Sequence, residues 1–504
     1  MVKNQLRAGV MLSYANLALG MLIPFFYTPI MLEILGQAEY GLYSLSSSTV
    51  SYLSLLSFGF GTTIIRYISK YRAEGNKKAV EETFGFFLML YSIMAVLALL
   101  GGLGISANVE LIFKNGLDMQ EMAKMKILVV ILSISTALSF PVSVFSSVIA
   151  SYERFIYEKV LNLLSTLAGP LANLAALYLG YSSVGMVFAG VALQFIFLPL
   201  KVCYCFRNLQ LRPRFAKLPG TLIREMFGFS FFAFLASMID LLFWSTDKVI
   251  LGMRASTVAV AVYNMGATFN SIVINLSTSI SGVLVPRVTG MVTQNTPKQE
   301  WTNLFVRIGR LQFIIIGLVI SGFAVFGFVF LDLWVGEEYR NAFWVAIFTL
   351  CPLCIPLIQS AGLVIITAQN KHKFRSIVFL CIAVINVVST YLIVPRMGMI
   401  GAALCTCVSY LLGQGLIMNI YYHKVTGLDI PLFWKNILKM AIVPAVMLVA
   451  GLWLLRKIAI TNWLTFFVLV AAYTLIYIVL MYLFSLNDYE KDILRKPLKK
   501  LLRR

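Results

Sequence analysis

Few residues in this 504-residue chain have chemistry to offer, and nearly all of them sit in apolar surroundings. The soft ligands are seven cysteines and two histidines. Cys351-Pro-Leu-Cys354 has the spacing of a redox or metal pair, but it lies in an apolar run without a histidine nearby. Small buried packing residues are the better reading, and the same holds for Cys203, Cys205, Cys381, Cys405 and Cys407. His372 and His423 fall in polar connectors, so no metal site is expected. The sequence contains no Gly-x4-Gly-Lys-Ser/Thr, Gly-x-Ser-x-Gly or His-Glu-x-x-His pattern. Neither hydrolysis of ATP on a phosphate-binding loop nor these hydrolytic chemistries is therefore expected, and no catalytic residue or cofactor is assigned.

The charges set in apolar sequence are more informative. Asp240 lies midway along the apolar run 227–251. A carboxylate at that depth costs about 2.5–3.5 kcal/mol to insert, so it is expected to face an interior cavity or a partner, as a functional acid or as half of an ion pair. Asp247 follows seven residues later on the same helical face, with Lys248 beside it, and these two read as a structural pair. Arg66 and Arg287 close two apolar runs at matching places. They serve either as topology anchors or as ligands for an anionic head group. Polar stripes complete the set. Ser13, Asn16, Gly20, Pro24 and Tyr27 share a face, as do Ser44, Ser47, Ser51 and Ser54, and as do Asn264, Thr268, Ser271, Asn275 and Thr278. Such stripes line a water-filled cleft or let helices pack closely. The asparagines Asn16, Asn264 and Asn275 are the cavity candidates. Pro24 and Pro29 should bend or break their helix, as a gate or as a fixed kink.

These residues need membrane helices to position them. Hydrophobic residues make up 60% of the chain and charged residues 12%, about half the charge of a soluble domain. Windows long enough to span a bilayer recur at 9–31, 40–65, 84–105, 127–150, 160–179, 184–206, 227–251, 258–285, 311–333, 342–368, 377–394, 399–421, 437–455 and 463–484. The first leads straight into the second and is read as a helix, not a signal peptide. The expected fold is therefore an all-α polytopic membrane protein of about 14 transmembrane helices. Assigned to the nearer connector, 32 of the 41 Lys and Arg fall on the amino-terminal side of the membrane and 9 on the other. The positive-inside rule then puts both termini in the cytoplasm. The +20 net charge is thus a topogenic and membrane-surface signal, with no nucleic-acid partner implied. The basic tail 487–504 reads as a short amphipathic helix on an anionic leaflet or as a solvated tail.

Two spacings repeat. Arg66 precedes Phe84 by 18 residues, as Arg287 precedes Phe305; Asn173 precedes Gly185 by 12, as Asn386 precedes Gly398. The offsets of 221 and 213 residues each match one six-helix unit, so a duplication with parallel orientation is expected. This gives an amino-terminal lobe at 1–212, a carboxyl-terminal lobe at 213–430, two appended helices at 431–486 and the tail at 487–504. The connector 207–224 is the expected hinge.

Several local motifs carry a resemblance over essentially the whole chain. They are Leu35-Gly-Gln-Ala-Glu-Tyr-Gly-Leu-Tyr43, then Asp247-Lys-Val-Ile-Leu-Gly252 with Tyr263, and Leu333-Trp-Val-Gly-Glu-Glu-Tyr339. Asn386, Tyr391-Leu-Ile-Val-Pro395 and Gly398-Met-Ile-Gly-Ala-Ala403 complete the series. In this order they resemble the polysaccharide flippase family, typified by O-antigen transporters, of the superfamily that also holds lipid II flippases and multidrug extruders. The resemblance implies a V-shaped, two-lobed fold in a bacterial plasma membrane. It implies transfer of an undecaprenyl-pyrophosphate-linked oligosaccharide from the cytoplasmic to the outer leaflet by alternating access. Lipid-linked oligosaccharide, membrane lipids and polysaccharide assembly enzymes are the implied partners. Basic cavity residues hold the pyrophosphate in such proteins, which points to Arg66 and Arg287. Relatives often carry a basic residue where this chain has Glu33, and no role is transferred there. A sugar head cannot cross hydrocarbon without losing its hydrogen bonds, which is why a polar cleft is needed. Energy would come from an ion gradient or from consumption of the product. The alternative is an ion-coupled multidrug extruder with Asp240 as its acid. A membrane glycan polymerase or ligase is disfavoured because the longest outward connector, Ser106 to Lys126, is modest.

Overall fold

The computed structural model describes residues 2–216, 219–281, 290–291, 296–369, 371–458 and 460–492. Among them there are helices and connectors and no strand. In hydrocarbon every backbone N–H and C=O must be paired within its own segment, which a run of apolar residues achieves only as a helix.

Ten helices form the first part of the count. They are α1 (Val2–Leu35), α2 (Gln37–Ala73), α3 (Lys77–Ala107), α4 (Met119–Ser151), α5 (Phe155–Tyr178), α6 (Ser182–Asn208), α7 (Gly220–Arg254), α8 (Thr257–Ser281), α9 (Lys298–Val335) and the bent pair α10 (Ala342–Ile358 with Ser360–Ala368). The next element, Lys373–Thr426, is 54 residues long. At 1.5 Å per residue it would extend about 80 Å, against a hydrocarbon core of about 30 Å. It must therefore cross twice, and it is interrupted at Gly398, whose φ of 54° lies outside the helical range. We number the two parts α11 (373–397) and α12 (399–426), followed by α13 (Ile430–Leu455) and α14 (Trp463–Ser485). Among the described residues, twelve candidate spans by length and apolarity become thirteen with the bent pair, and the Gly398 break brings the crossings to fourteen, the number the hydropathy windows anticipate.

Polar residues fix where helices begin. Asp118 and Glu121 form a reciprocal capping box at the start of α4, and Asn76, Asp429 and Asn462 cap α3, α13 and α14. Each such cap stabilises by about 1 kcal/mol.

The chain forms two compact units, Met1–Ala261 and Val262–Arg504. In the first, α2, α3 and α4 share an aromatic core built from Phe60, Phe84, Phe87, Tyr91, Phe140 and Phe145. Gly102 lets α3 lie directly against Ser133 of α4, where a Cβ would collide. The connector after α6 is docked. Leu211 is buried, and the Arg214 N–H donates to the Glu81 carbonyl at 2.9 Å. α7 also packs inside this unit, against α2. In the second unit the 38-residue α9 is the central element and contacts α10, α13 and α14. The Tyr477 hydroxyl of α14 donates to the Ile314 carbonyl of α9 at 3.0 Å.

Candidate functional site

The polar residues of the first unit converge where α2 meets α7. α2 carries no proline, yet it is broken in mid-span. Its first helical segment ends at Ser51, residues Tyr52–Ser57 form a 3-10 turn, and a second segment starts at Phe60. Serine hydroxyls bond back to the chain at the break: Ser51 Oγ to the Ser48 carbonyl and Ser54 Oγ to the Ser51 carbonyl, each at 2.6 Å. Such bonds give the backbone an alternative to the α-helical ladder. Phe58 and Gly59 then take left-handed conformations, at φ 47° and 67°. Here glycine is required twice over, because a Cβ on Gly59 would stand 2.6 Å from the Ala233 Cβ of α7.

α7 is interrupted opposite, between Trp244 and Thr246. A ladder of hydroxyls joins the two helices. The Ser51 and Ser245 hydroxyls pair at 3.3 Å, Tyr52 bonds Thr246, and Thr63 bonds Ser230 at 2.6 Å. Phe58 stacks on Phe234 with ring centroids 4.6 Å apart. At the end of this seam the guanidinium of Arg66 lies over the Phe229 ring, 4.5 Å from its centroid. Tyr67 lies near both Glu225 and Arg66, so cationic and acidic groups meet at the same end of the seam.

The structure distributes the residues singled out in the sequence as follows. Arg66 is exposed at the seam end. Arg287, with the second repeat anchor from Gly282 onward, lies outside the described residues, as does the basic tail from residue 493. Asp240 is exposed on α7, whereas Asp247 is completely buried. The two carboxylates lie on either side of a one-residue interruption at Ser245. Asn16 accepts a hydrogen bond from Thr166 at 2.9 Å, and Asn173 bonds Tyr27, so both connect α1 to α5. Asn264 is half-buried and Asn275 exposed, and their carbonyls accept from Thr268 and Thr278 in the same helix. Helix α1 runs unbroken through Pro24 and Pro29. Among the described residues no group of three metal-ligating side chains occurs.

Three features went unnoticed in the sequence. The α2 break could have been suspected from Phe58-Gly59-Phe60-Gly61 after a serine run. A buried ion pair joins Lys201 of α6 to Glu158 of α5 at 2.9 Å, with Ser146 of α4 accepting from the same ammonium at 2.7 Å. In the second unit an apolar cavity of about 360 Å³ lies between α8, α9 and α14, walled by Phe269, Phe323, Phe326, Phe330, Phe466 and Tyr473. Aromatic residues in membrane sequence are too common for the cavity to be read from composition.

Comparison with known proteins gives a consistent result. A family model described as "Polysaccharide biosynthesis protein" matches residues 6–292. The chain is 21% identical over 430 residues to the uncharacterized membrane protein EpsK of Bacillus subtilis (strain 168), covering 82% of each. It is 22% identical over 394 residues to a putative O-antigen transporter of Shigella flexneri, covering 77% of this chain and 90% of the relative. Among solved structures, the lipid II flippase MurJ in an inward closed conformation aligns with a TM-score of 0.69 at 14% identity, covering 94% of this chain and 98% of that one. An inward-facing multidrug resistance transporter of the MATE family aligns with a TM-score of 0.63 at 12% identity, covering 83% and 98%. At these identities the structural neighbours establish the fold alone, that of an all-α multi-pass membrane protein.

Proposed function

This chain belongs to the polysaccharide biosynthesis protein family, and on that premise we propose that it is a flippase for lipid-linked oligosaccharide. The substrate is an undecaprenyl-pyrophosphate-linked repeat unit, carried from the cytoplasmic to the outer leaflet of a bacterial plasma membrane by alternating access, for surface polysaccharide synthesis. The orientation, with both termini cytoplasmic, follows from the distribution of basic residues. Two six-helix lobes, with α13 and α14 appended, are the proposed moving parts.

The observation that carries this reading is the apolar cavity against α14. Its wall is almost wholly aromatic and aliphatic, which suits an isoprenoid tail better than a polar solute. For the head group, Arg66 and Arg287 are the proposed pyrophosphate ligands. Asn264 and Asn275 offer further polar contacts, and Asp240 is the membrane acid placed to respond to an ion gradient. The transporter name of one relative supports a non-enzymatic role for this chain. Assembly enzymes of the polysaccharide are its proposed partners.

The exposed carboxylate of Asp240 also favours a second reading, extrusion of cationic drugs by a related mechanism. Depletion in the native host separates the two. Build-up of lipid-linked oligosaccharide in the inner leaflet with loss of surface polysaccharide is the expected result. Unchanged lipid-linked glycan together with new sensitivity to cationic drugs would establish the second reading instead.

A further inference from the structure

Helices α11 and α12 of the second unit enclose a groove of about 270 Å³ that the proposed transport does not use. On α11 it is lined by Ile382, Ser389, Ile393 and Met397, which share one helical face. Cys405 and Ser409 of α12 stand opposite, four residues apart. Its floor is buried, with Ile382 and Cys405 each 6% exposed and Ser409 4%. Its rims are not: Ile385, Met397 and Val408 are half exposed. Apolar side chains exposed on membrane helices face hydrocarbon, so the groove opens sideways into the bilayer.

The helix pair holds this shape from behind and from below. Behind the groove the Asn386 amide donates to Thr406 Oγ1 at 3.4 Å and accepts from Ser409 Oγ at 3.2 Å. At the deep end a Cβ on Gly413 would stand 2.6 Å from Ile382 Cδ1, so the helices close there. From Met397 to Ile382 the wall runs about 22 Å at 1.5 Å per residue, against about 15 Å of hydrocarbon in one leaflet. The groove thus starts at the α11–α12 connector and ends near the bilayer midplane. Its polar atoms are already satisfied, because Ser389 Oγ bonds the Ile385 carbonyl and Ser409 bonds Asn386. No hydroxyl in it awaits a polar solute.

A cation stands at the connector end. Arg396 lies seven residues beyond Ser389, two turns along the same face of α11. It is exposed, and among the described residues no ion pair engages it. Topology does not ask for it either, since it falls on the side of the membrane that holds only 9 of the 41 basic residues. We propose that the α11–α12 groove holds one acyl chain of an anionic glycerophospholipid from that leaflet, with the lipid phosphate on Arg396. A guanidinium beside an apolar channel matches a phosphate joined to a chain, and the closed deep end suits a chain one leaflet long. A polyprenyl chain is far longer and would not end at Gly413.

Photolabelling of the full chain in phosphatidylcholine nanodiscs tests this, with a trace of phosphatidylglycerol that carries a diazirine near the end of one acyl chain. Adducts are mapped by mass spectrometry. Those on residues 382–412 are expected to exceed, by about fivefold or more, those at Leu438, Ile442 and Val449, exposed apolar side chains of α13. R396Q should lower the groove adducts about fivefold, the worth of one cation at an anionic surface, and R396K should restore most of them. S389F fills the groove and should abolish the adduct at Ile382 while Arg396 is kept. Labelling of the groove no stronger than that of α13 would overturn the site, and unchanged labelling in R396Q would overturn the phosphate contact. If undecaprenyl phosphate displaces the probe better than unlabelled phosphatidylglycerol, the occupant is a polyprenyl chain and the phospholipid assignment fails. No transport is measured, so failure of the proposed flippase activity leaves this outcome unchanged.

Discussion

Replacing Gly59 by alanine should weaken the first unit far more than replacing Gly61, two residues away on the same helix. Gly59 adopts φ 67° and ψ 18°, a left-handed conformation that costs an L-residue roughly 1–2 kcal/mol. Its new Cβ would lie 2.6 Å from the Ala233 Cβ, where carbon atoms prefer 3.5–4.0 Å. Both atoms are attached rigidly to backbone, so α2 and α7 must separate, and overpacking of that kind costs about 1–3 kcal/mol. The two terms together give about 2–5 kcal/mol, before any loss from the Thr63–Ser230 and Ser51–Ser245 bonds that span the same seam. Gly61→Ala meets nothing worse than the Ser147 Oγ at 3.7 Å, an ordinary contact, and gains about 1 kcal/mol of helix propensity. Denaturation of the purified protein in mixed micelles, followed by helicity, measures both variants against wild type. The expected order of stability is Gly61→Ala at or above wild type, with Gly59→Ala several kcal/mol below. Equal stability of the two variants would refute the close α2–α7 approach at the break.

Lys201→Met should destabilise by about 3–5 kcal/mol, because it leaves the Glu158 carboxylate buried without its ammonium, and Lys201→Met with Glu158→Leu should recover most of the loss. A single variant no worse than the double would contradict a charged pair. In a double-mutant cycle, Thr63→Val and Ser230→Ala should couple by about 1 kcal/mol, and zero coupling would mean that their hydroxyls do not meet in the membrane. Arg66→Lys keeps the positive-inside charge but loses the planar donor fork. Transport is expected to fall at least about tenfold with insertion unchanged, as for a head-group ligand, whereas wild-type transport would leave Arg66 as an anchor only. Val470→Trp, which projects an indole into the aromatic cavity, should reduce transport of long-chain substrate while the protein still folds. A normal rate would show that the lipid tail does not use this cavity.

Hydropathy made the crossings legible because burial in lipid imposes one solution on every apolar run. It also separated α11 from α12, where helical hydrogen bonding continues past Gly398 but the length does not fit one bilayer. The breaks in α2 and α7 were not legible, since serine occurs both in continuous helices and at interruptions, and only the facing helix decides which. Side-chain partners were hidden for the same reason. Asn16 reads as a cavity residue on its own helix, and its bond to Thr166 depends on the packing of α1 against α5. Asp240 and Asp247 are seven residues apart, yet one is exposed and the other buried, because burial depends on what packs beside each.

The contrast between α1 and α2 bears on which helix moves. Two prolines leave α1 continuous, because neighbouring groups in a membrane can satisfy the carbonyls that proline frees. α2, without proline, is reversed into the left-handed region at two successive residues and held there by contacts with α7. Three of those contacts are hydroxyl pairs, each worth about 0.5–1.5 kcal/mol net, so together they contribute about 1.5–4.5 kcal/mol beside the Phe58–Phe234 stack. That is the size of gap across which a protein exchanges two conformations readily. Where the first unit joins α4, α5 and α6 it uses the Lys201–Glu158 pair instead, and opening that pair costs several kcal/mol by itself. A polar substrate entering between α2 and α7 could replace hydroxyl for hydroxyl at little net cost, while the ion-paired helices stay together. The seam at Gly59 is therefore a better place to look for the gate than the prolines of α1.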